Sequence, residues 1–352
     1  MTILTILAAI FGFGVIIMIH EAGHFFVAKK CGIRVLEFSI GMGPAIISKQ
    51  KGETKYSWRI LPIGGYCAME GEDENSDDPR AFRKQAVWKR VLVTVAGAVM
   101  NLILGFVLIF GYVCLESPLT STTIAQFRTN DAGENISTSS QWLKPNDRFI
   151  SINGLNIFTW QDISYALQND DCDTFQVVVA RDGERVTFDN VTFLNTETNG
   201  LLDFYLQRDE KTPLSILSHT ARYYATTARL IWISLIDLIS GKYGFHDLTG
   251  VVGIIDATTT VVNMSETLRE KLVTMLDILG FITINVGIFN LIPFPALDGG
   301  RLVFLIIEAI RRKPISAKVE GMIHFVGLAA LMLLMVGITF QDISRIFTRS
   351  SQ

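Results

Sequence analysis

Cysteine is scarce in this sequence, and its four copies are widely separated. Cys31, Cys67, Cys114 and Cys172 have neither the number nor the spacing of a disulfide scaffold or a cysteine-based zinc site. Charge is also scarce, since Asp, Glu, Lys and Arg form 18% of the 352 residues against roughly 25% in an average soluble domain. The formal net charge of −3 excludes a basic nucleic-acid binder and a long acidic tail.

Apolar residues are plentiful instead, at 49% of the chain, and the mean hydropathy is +0.36. Four runs approach or exceed the ~20 apolar residues that a bilayer-spanning helix needs. They are 2–19, 91–115, 278–297 and 321–340. These runs predict a polytopic α-helical membrane protein with four spans.

The first run has no basic start and no small-residue cleavage site, and it leads directly into His20 and Glu21. We therefore expect a retained span rather than a cleaved signal peptide.

The distribution of Lys and Arg predicts the orientation of the spans. Segment 29–90 has 12 basic residues, segment 299–320 has five, the tail 341–352 has two, and nothing basic precedes the first span. Because cytoplasmic loops are enriched in Lys and Arg, 29–90 and 299–320 are expected to face the cytoplasm. Both termini and the long 116–270 segment are then expected outside a cytoplasmic (inner) membrane.

Two features are predicted between the first two spans. Lys51-Gly52 lies between strand-like runs and favours a β-hairpin over 36–68. Segment 79–90 combines Arg and Lys with Phe82, Val87 and Trp88, which predicts a basic amphipathic helix on an anionic membrane surface.

A soluble α+β module is predicted over 118–205, with strands in RFISING, TFQVVVA and RVTFDNVTF and a helix in TWQDISYALQ. Within it, KPNDRFISINGLNIFTWQDISYAL resembles a single PDZ domain, although Asn146 stands where that family usually has Gly. Residues 214–240 are expected to be helical, with the short apolar run Leu230–Ile236 lying in the membrane interface. The chain is thus predicted to have four parts. The first two spans, with the hairpin between them, occupy 1–117, and the PDZ-like module occupies 118–205. An amphipathic connector follows at 206–270, and the third and fourth spans occupy 271–352.

His20-Glu21-Ala22-Gly23-His24 is an HExxH motif. Residues four apart share one face of a helix, so both imidazoles can bind one Zn²⁺. Glu21 lies about 100° around the helix, where it can take a proton from a water at the metal. The alternative is that the span ends at Met18 and the motif lies among lipid headgroups.

A catalytic zinc needs a third protein ligand, and Asp298 is the candidate because it follows 20 uncharged residues. Pro293 and Pro295 must interrupt the helix before it, and irregular backbone at that depth requires protein or a water-filled cavity beside it. The alternative is a kink that merely ends the span. Asn290 can bond the backbone of an extended peptide or, equally well, form a helix–helix hydrogen bond.

Asn101 and the three remaining histidines are predicted to be structural. Asn101 is expected to join helices. His219, His246 and His324 have no partner at ligand spacing in the sequence.

HEAGH in the first span together with N-x-x-P-x-P-x-LDGG in a later one resembles the site-2 protease family of intramembrane zinc metalloproteases. The bacterial RseP-like branch is the nearer match, with one PDZ-like module as in its shorter members. GMGP (41–44) and LPIGGY (61–66) resemble that family's membrane-embedded β-hairpin. FRKQAVWKRVLVTVAGAVMN (82–101) resembles its cytosolic helix and second-span entry. LTGVVGI (248–254) resembles a connector in which the family often has Pro at the position of Val251.

The resemblance implies zinc as the cofactor, His20, His24 and Asp298 as its ligands, Glu21 as the catalytic glutamate and Asn290 as a substrate-holding residue. It implies cleavage of single-span membrane proteins in the lipid bilayer, in regulated intramembrane proteolysis. The implied substrates are anti-sigma factors trimmed by an upstream site-1-type protease, and remnant signal peptides. The PDZ-like module is then a size filter, a binder of a new C-terminus, or a spacer.

Two other functions fit parts of the sequence. A non-catalytic membrane adaptor with a PDZ module would not need an intact HExxH or Asp298. A metal transporter could use His20, His24 and Asp298 as a transit site, but it would not need Glu21 or the long outer module. The adaptor and the transporter are therefore weaker hypotheses than the protease.

Overall fold

The computed structural model describes residues 3–72, 74, 76–116, 118–130, 132–168, 172–194, 202–242, 244, 248–265 and 267–350. The helices are α1 (Ile3–Lys30), α2 (Val87–Leu115), α3 (Trp160–Gln168), α4 (Pro213–Ser240), α5 (Val251–Met264), α6 (Leu268–Asn290), α7 (Asp298–Arg311) and α8 (Ala317–Ser350). The strands are β1 (Val35–Lys51), β2 (Thr54–Met69), β3 (Leu119–Phe127), β4 (Arg148–Ile152), β5 (Leu155–Asn156), β6 (Phe175–Arg181), β7 (Glu184–Val191) and β8 (Phe204–Asp209).

The chain divides into two compact units. The helical unit comprises Met1–Leu108 and Ile231–Gln352, and the β-rich unit comprises Ile109–Leu230. In the described part of the chain, four helical segments are long and apolar enough to cross a membrane: Ile6–Lys30, Val87–Leu115, Leu268–Asn290 and Ala317–Arg345. The predicted number of spans is confirmed within those residues.

The first and third spans differ from the predicted boundaries. Helix α1 continues past the uncharged run 2–19, through the HExxH motif, to Lys30, because no proline interrupts it. Gly32 has φ +79°, and the N–H of Ile33 bonds back to the carbonyl of Ala28 at 2.9 Å. This is the left-handed termination that glycine favours.

The predicted third span, 278–297, is shifted in the structure. Helix α6 begins earlier, at Leu268, where Thr267 and Glu270 form a reciprocal capping box. It ends at Asn290 rather than at 297, because Pro293 and Pro295 follow and cannot donate to a continuing helix. Asp298 therefore opens a separate helix, α7, instead of ending a span.

The predicted hairpin is confirmed, with Gly52 at the turn in a left-handed conformation of φ +62°. The pairing is more complex than one hairpin, since residues 37–40 of β1 pair with both 55–58 and 65–68 of β2. The segment thus folds back on itself into a small sheet. Its last strand segment, 65–69, pairs with 35–40 on one side.

The prediction of a continuous amphipathic helix over 79–90 is wrong. Only Phe82–Lys84 forms a single 3₁₀ turn, flanked by extended backbone at Ala81 and Gln85, before α2 begins at Val87. Tertiary contacts override the helical pattern: Phe82 is buried in a core with Ile33, Val35 and Val93. The basic side chains are likewise engaged by protein groups, and Arg83 donates to the carboxylate of Glu320.

The β-rich unit is built on a sheet with the strand order β7-β6-β4-β3-β8, and β5 pairs with β4. The predicted strands in 148–154, 174–180 and 185–193 and the helix in 159–168 are confirmed as β4, β6, β7 and α3. Strand β8 extends to Asp209 and pairs with β3, so the sheet continues past residue 205. Asn146 has φ +73°, which explains why glycine suits this position.

Helix α4, which confirms the helix expected over 214–240, begins in the β-rich unit and packs there on α3. The fully buried Asp162 carboxylate accepts hydrogen bonds from Thr226 at 2.9 Å and Arg229 at 2.6 Å. It also accepts from the N–H groups of Phe158 and Thr159, at the start of α3. A buried charge satisfied in this way fixes the two helices in one register.

Candidate metal and catalytic site

Helix α1 presents His20 and His24 on one face, one turn apart, and both side chains are buried. Their Nε2 atoms lie 3.2 Å apart. Asp298, at the first position of α7, places Oδ2 3.2 Å from Nε2 of His20 and 3.3 Å from Nε2 of His24. The structure thus brings together three residues from two distant parts of the sequence, with one ligand atom of each within 4.8 Å of the others.

The second nitrogen of each ring contacts α2. Nδ1 of His24 donates to the carbonyl of Val93 at 2.8 Å, which leaves the Nε2 lone pair facing Asp298. Nδ1 of His20 lies 3.4 Å from the side-chain amide of the fully buried Asn101. A 180° rotation of that amide lets its oxygen accept from Nδ1–H, and the Nε2 lone pair of His20 then also faces the centre.

The residues fit a zinc ion. Buried Oδ2 of Asp298 forms no hydrogen bond within the described parts of the chain, although two imidazole nitrogens lie close to it. When both rings carry their proton on Nδ1, three lone pairs converge on one point, and a bound cation offsets their mutual repulsion. Two imidazoles and one carboxylate, with space for a further ligand, form the donor set of a catalytic zinc site.

Two glycines allow α1 and α2 to approach each other at the site. A Cβ built at Gly97 would lie 2.4 Å from Nε2 of His24 and 2.7 Å from Cε1 of His20. A Cβ built at Gly23 would lie 2.5 Å from the carbonyl oxygen of Ala96. Any larger residue at these positions displaces the rings or the helices.

A cavity of about 420 Å³ opens beside His20, His24 and Asp298. Glu21 lines it, next to the two histidines, and its Cγ would lie 3.3 Å from a Cβ built at Gly65 of β2. Asn290, the last residue of α6, lines it as well. The cavity therefore contains every residue that the sequence singled out for metal binding, catalysis or substrate contact.

One wall of the cavity is a strand edge. Tyr66, Cys67, Ala68 and Met69 line it, and in the described pairings residues 65–69 have a strand partner only on the side of β1. Arg59 fixes this edge by donating to the hydroxyl of Tyr66 and, at 2.8 Å, to the carboxylate of Glu37. Although burial raises the pKa of Glu37, hydrogen bonds from Ser57 and Arg59 outweigh it and lower the pKa.

The rim of the cavity is charged. Glu72 and Arg301 both line it and form an ion pair. Farther along α7, the carboxylate of Glu308 pairs with both terminal nitrogens of Arg90 on α2, whose side chain is only 5% exposed. These pairs attach α7, and with it Asp298, to the rest of the helical unit.

The other polar residues named from the sequence have separate partners. The side chain of Asn101 on α2 contacts His20 of α1, so the residue joins helices as predicted, and its backbone carbonyl accepts from Thr283 of α6 at 3.3 Å. The imidazole of His219 lies 2.9 Å from Asp209 in the β-rich unit. His324 accepts from the N–H of Ala296. His246 lies outside the described residues.

Similarity to known proteins agrees with this geometry. Residues 8–334 match the model of peptidase family M50. The zinc metalloprotease RasP of Bacillus licheniformis is 31% identical, with 97% of this chain and 99% of the relative covered. The regulator of sigma-W protease RasP of Bacillus subtilis is 30% identical, with the same coverage. The chain therefore belongs to peptidase family M50, the site-2 proteases, and is a membrane-embedded enzyme of the zinc metalloprotease class.

Proposed function

We propose that this protein cuts single-span membrane proteins within or near the bilayer, with His20, His24 and Asp298 holding zinc and Glu21 moving the proton. The observation that carries the proposal is the convergence of the three candidate ligand atoms beside a cavity that Glu21 lines. His20, Glu21 and His24 all lie on α1, which is apolar enough to span a membrane. Zinc supplies a Lewis acid that polarises the scissile carbonyl and activates water for attack.

The residues of the chain have distinct roles in this proposal. Glu21 accepts the proton of the attacking water and donates it to the leaving amine. Asn101 and the carbonyl of Val93 hold the two rings with Nε2 toward the centre. Asn290 hydrogen-bonds the backbone of the bound peptide.

Strand 65–69 is proposed to hold the substrate in an extended form. A helical substrate hides its peptide bonds in i→i−4 hydrogen bonds, so it must unwind before cleavage. Its backbone can then pair with the open edge that lines the cavity. Proline at Ala68 should lower cleavage while zinc content stays intact, whereas proline at Asp77, an exposed residue outside the sheet, serves as the control. Equal cleavage by the Ala68→Pro form would exclude this strand from substrate binding.

The substrate class is proposed from chemistry and similarity. The Bacillus subtilis relative is named a regulator of sigma-W protease, which supports anti-sigma factors trimmed by an upstream protease as substrates of this chain too. Remnant signal peptides are the second class. Both are single hydrophobic helices without a large outer domain, which suits a cavity enclosed by spans.

The β-rich unit is proposed to be a PDZ-like module that either excludes substrates with bulky outer domains or binds a newly exposed C-terminus. Deletion of Leu119–Asp209 tests the two roles. If the module is a filter, the deletion form cuts an untrimmed substrate that the full chain leaves intact. If it is a receptor, the deletion form cuts the trimmed substrate more slowly.

The proposed orientation places the β-rich unit and both termini outside and the zinc site toward the cytoplasm. Cys172 is exposed in the β-rich unit, so it reports on this arrangement. In a variant that retains Cys172 alone, a membrane-impermeant maleimide should label intact cells or spheroplasts. Labelling only after the membrane is opened would reverse the proposed orientation.

Substitution of Glu21 by Gln tests the catalytic assignment. The Glu21→Gln form should bind zinc as the wild type does, while cleavage of a co-expressed, tagged single-span substrate stops. Glu134→Gln, at an exposed residue of the β-rich unit, is the control and should cleave normally. Retained cleavage by Glu21→Gln would refute the proposed role, and zinc transport without cleavage by the wild type would favour a transporter.

A further inference from the structure

The loop that precedes Asp298 packs against α8, the fourth span. It runs from Leu291 to Leu297, between α6 and α7. A Cβ built at Gly327 of α8 would lie 2.4 Å from Cβ of Pro295, so the loop rests directly on α8. A Cβ built at Gly299 would lie 2.1 Å from the carbonyl oxygen of Ile292, so the start of α7 presses on the loop from the other direction.

The backbone N–H groups of the loop show how it is fixed. Pro293 and Pro295 have none. The N–H of Phe294 bonds to the carbonyl of Ile292 at 2.7 Å, and that of Leu297 bonds to the carbonyl of Phe294 at 3.1 Å. The N–H of Ala296 instead donates to Nδ1 of His324 on α8, at 3.0 Å.

Ala296 also has an unusual backbone conformation, with φ +83°. A residue with a Cβ is strained there, and such strain persists only where the surroundings enforce it. The bond from His324 acts on the strained residue itself, two positions before Asp298. An imidazole that accepts at Nδ1 carries its proton on Nε2, so the neutral ring suits this contact.

We propose that His324 is a positioning residue for the metal site: by accepting from the N–H of Ala296, it holds the loop in the one conformation that places Asp298 Oδ2 against both histidines. The inference rests on the proposed zinc site. It assigns a role to His324, which has no second candidate metal ligand at a suitable spacing in the sequence. His324 acts through the loop, on the residue two positions before Asp298.

A pair of nearly isosteric substitutions separates the hydrogen bond from packing. His324→Asn places a carbonyl oxygen close to the position of Nδ1 and keeps an acceptor, whereas His324→Leu fills similar space with a methyl group. Zinc affinity, measured on the purified full chain by competition with a chromophoric chelator, should fall roughly 10- to 100-fold in the Leu form. It should stay within about threefold of the wild type in the Asn form. Phe325→Leu, at a residue exposed on the same helix, is the control and should not change it.

A second substitution tests the strain directly. Glycine adopts a positive φ without cost, so Ala296→Gly should restore most of the zinc affinity in the His324→Leu background. Hydrogen exchange of metal-free protein gives a readout that does not depend on zinc or activity. The Ala296 amide should exchange faster in His324→Leu than in His324→Asn or the wild type.

Each outcome decides the proposal. Wild-type zinc affinity and amide exchange in the Leu form, or equal losses in the Leu and Asn forms, would overturn it. If the Leu form does not fold, loss of affinity in a folded Asn form overturns it, and retention there supports it. If wild-type protein binds no zinc while the Ala296 amide is still protected by His324, the proposed function fails and the loop contact stands.

Discussion

Gly97 of α2 lies against the imidazole of His24 so closely that a Cβ at this position would stand 2.4 Å from Nε2. That nitrogen is also the atom that faces Asp298, at 3.3 Å from its Oδ2. Even an alanine methyl group at residue 97 would therefore occupy space that the His24 ring fills. The close approach of the two helices is thus a condition for the site.

Substitution Gly97→Ala should abolish high-affinity zinc binding and cleavage, because the new methyl group must displace both rings. Zinc content after purification, measured by atomic emission, checks this result. Gly321→Ala is the matched control, since no other atom of the described residues lies within 4 Å of a Cβ built at that glycine. A Gly97→Ala form with a full complement of zinc would contradict the packing argument.

Substitution Asn101→Leu should weaken zinc binding by roughly 10- to 100-fold, because His20 loses the partner that orients its ring. Asn101→Asp keeps an acceptor for Nδ1–H and should retain tighter binding than the Leu form. Chelator competition on both variants measures the difference. Equal affinity in the Leu and Asp forms would show that Asn101 acts by packing alone.

The ion pair between Arg90 and Glu308 should contribute strongly to stability, since both side chains are largely buried. Glu308→Gln leaves the guanidinium without its charge partner and should lower the free energy of unfolding by about 3 kcal/mol. The melting temperature in detergent reports the loss. Asp77→Asn, which removes a fully exposed partner of Lys84, should leave the melting temperature unchanged.

The start of α5 predicts opposite effects of proline at neighbouring positions. The Asp342 carboxylate accepts from the N–H groups of Gly250 at 3.0 Å and Gly253 at 2.8 Å. Val251 is the first helical residue, where proline is favoured, so Val251→Pro should keep or raise stability, by up to about 1 kcal/mol. Gly253→Pro removes a bond to Asp342 and should lower the melting temperature. A large loss in the Val251→Pro form would be the contrary result.

The hairpin sheet should weaken in acid through Glu37. Its pKa is lowered in the folded protein, because the hydrogen bonds from Ser57 and Arg59 outweigh the effect of burial. A lowered folded pKa adds stability above the unfolded value of 4.5, and this contribution disappears as the pH falls through the folded value. The stability difference between wild type and Glu37→Gln should therefore be largest near neutral pH and shrink below about pH 4.5.

Melting temperatures across pH 3–7 measure this trend, and Glu184→Gln at an exposed position provides the reference slope. A difference between wild type and Glu37→Gln that stays constant over this range would show that the carboxylate contributes through shape rather than charge.

Some features of the structure could be predicted because their information is local. The hairpin turn at Lys51-Gly52, strands β4, β6 and β7, and helix α3 follow from alternation, turn residues and short-range periodicity. The structure of segment 79–90 could not be predicted from the same kind of pattern, which indicated a continuous helix where only a 3₁₀ turn precedes α2. Phe82 enters a core and Arg83 bonds to Glu320, and neither partner is visible from neighbouring residues.

The sequence by itself determined the number of apolar spans and the pairing of His20 with His24, because hydrophobic length and the 3.6-residue helical period depend only on neighbours along the chain. Only the tertiary structure decided that Asp298 lies beside both histidines. It also decided that Gly97 packs on their rings, that Asn101 contacts His20 and that His324 bonds to the loop before Asp298. Those contacts join segments far apart in the sequence, and they depend on how closely helices pack, which no local pattern encodes.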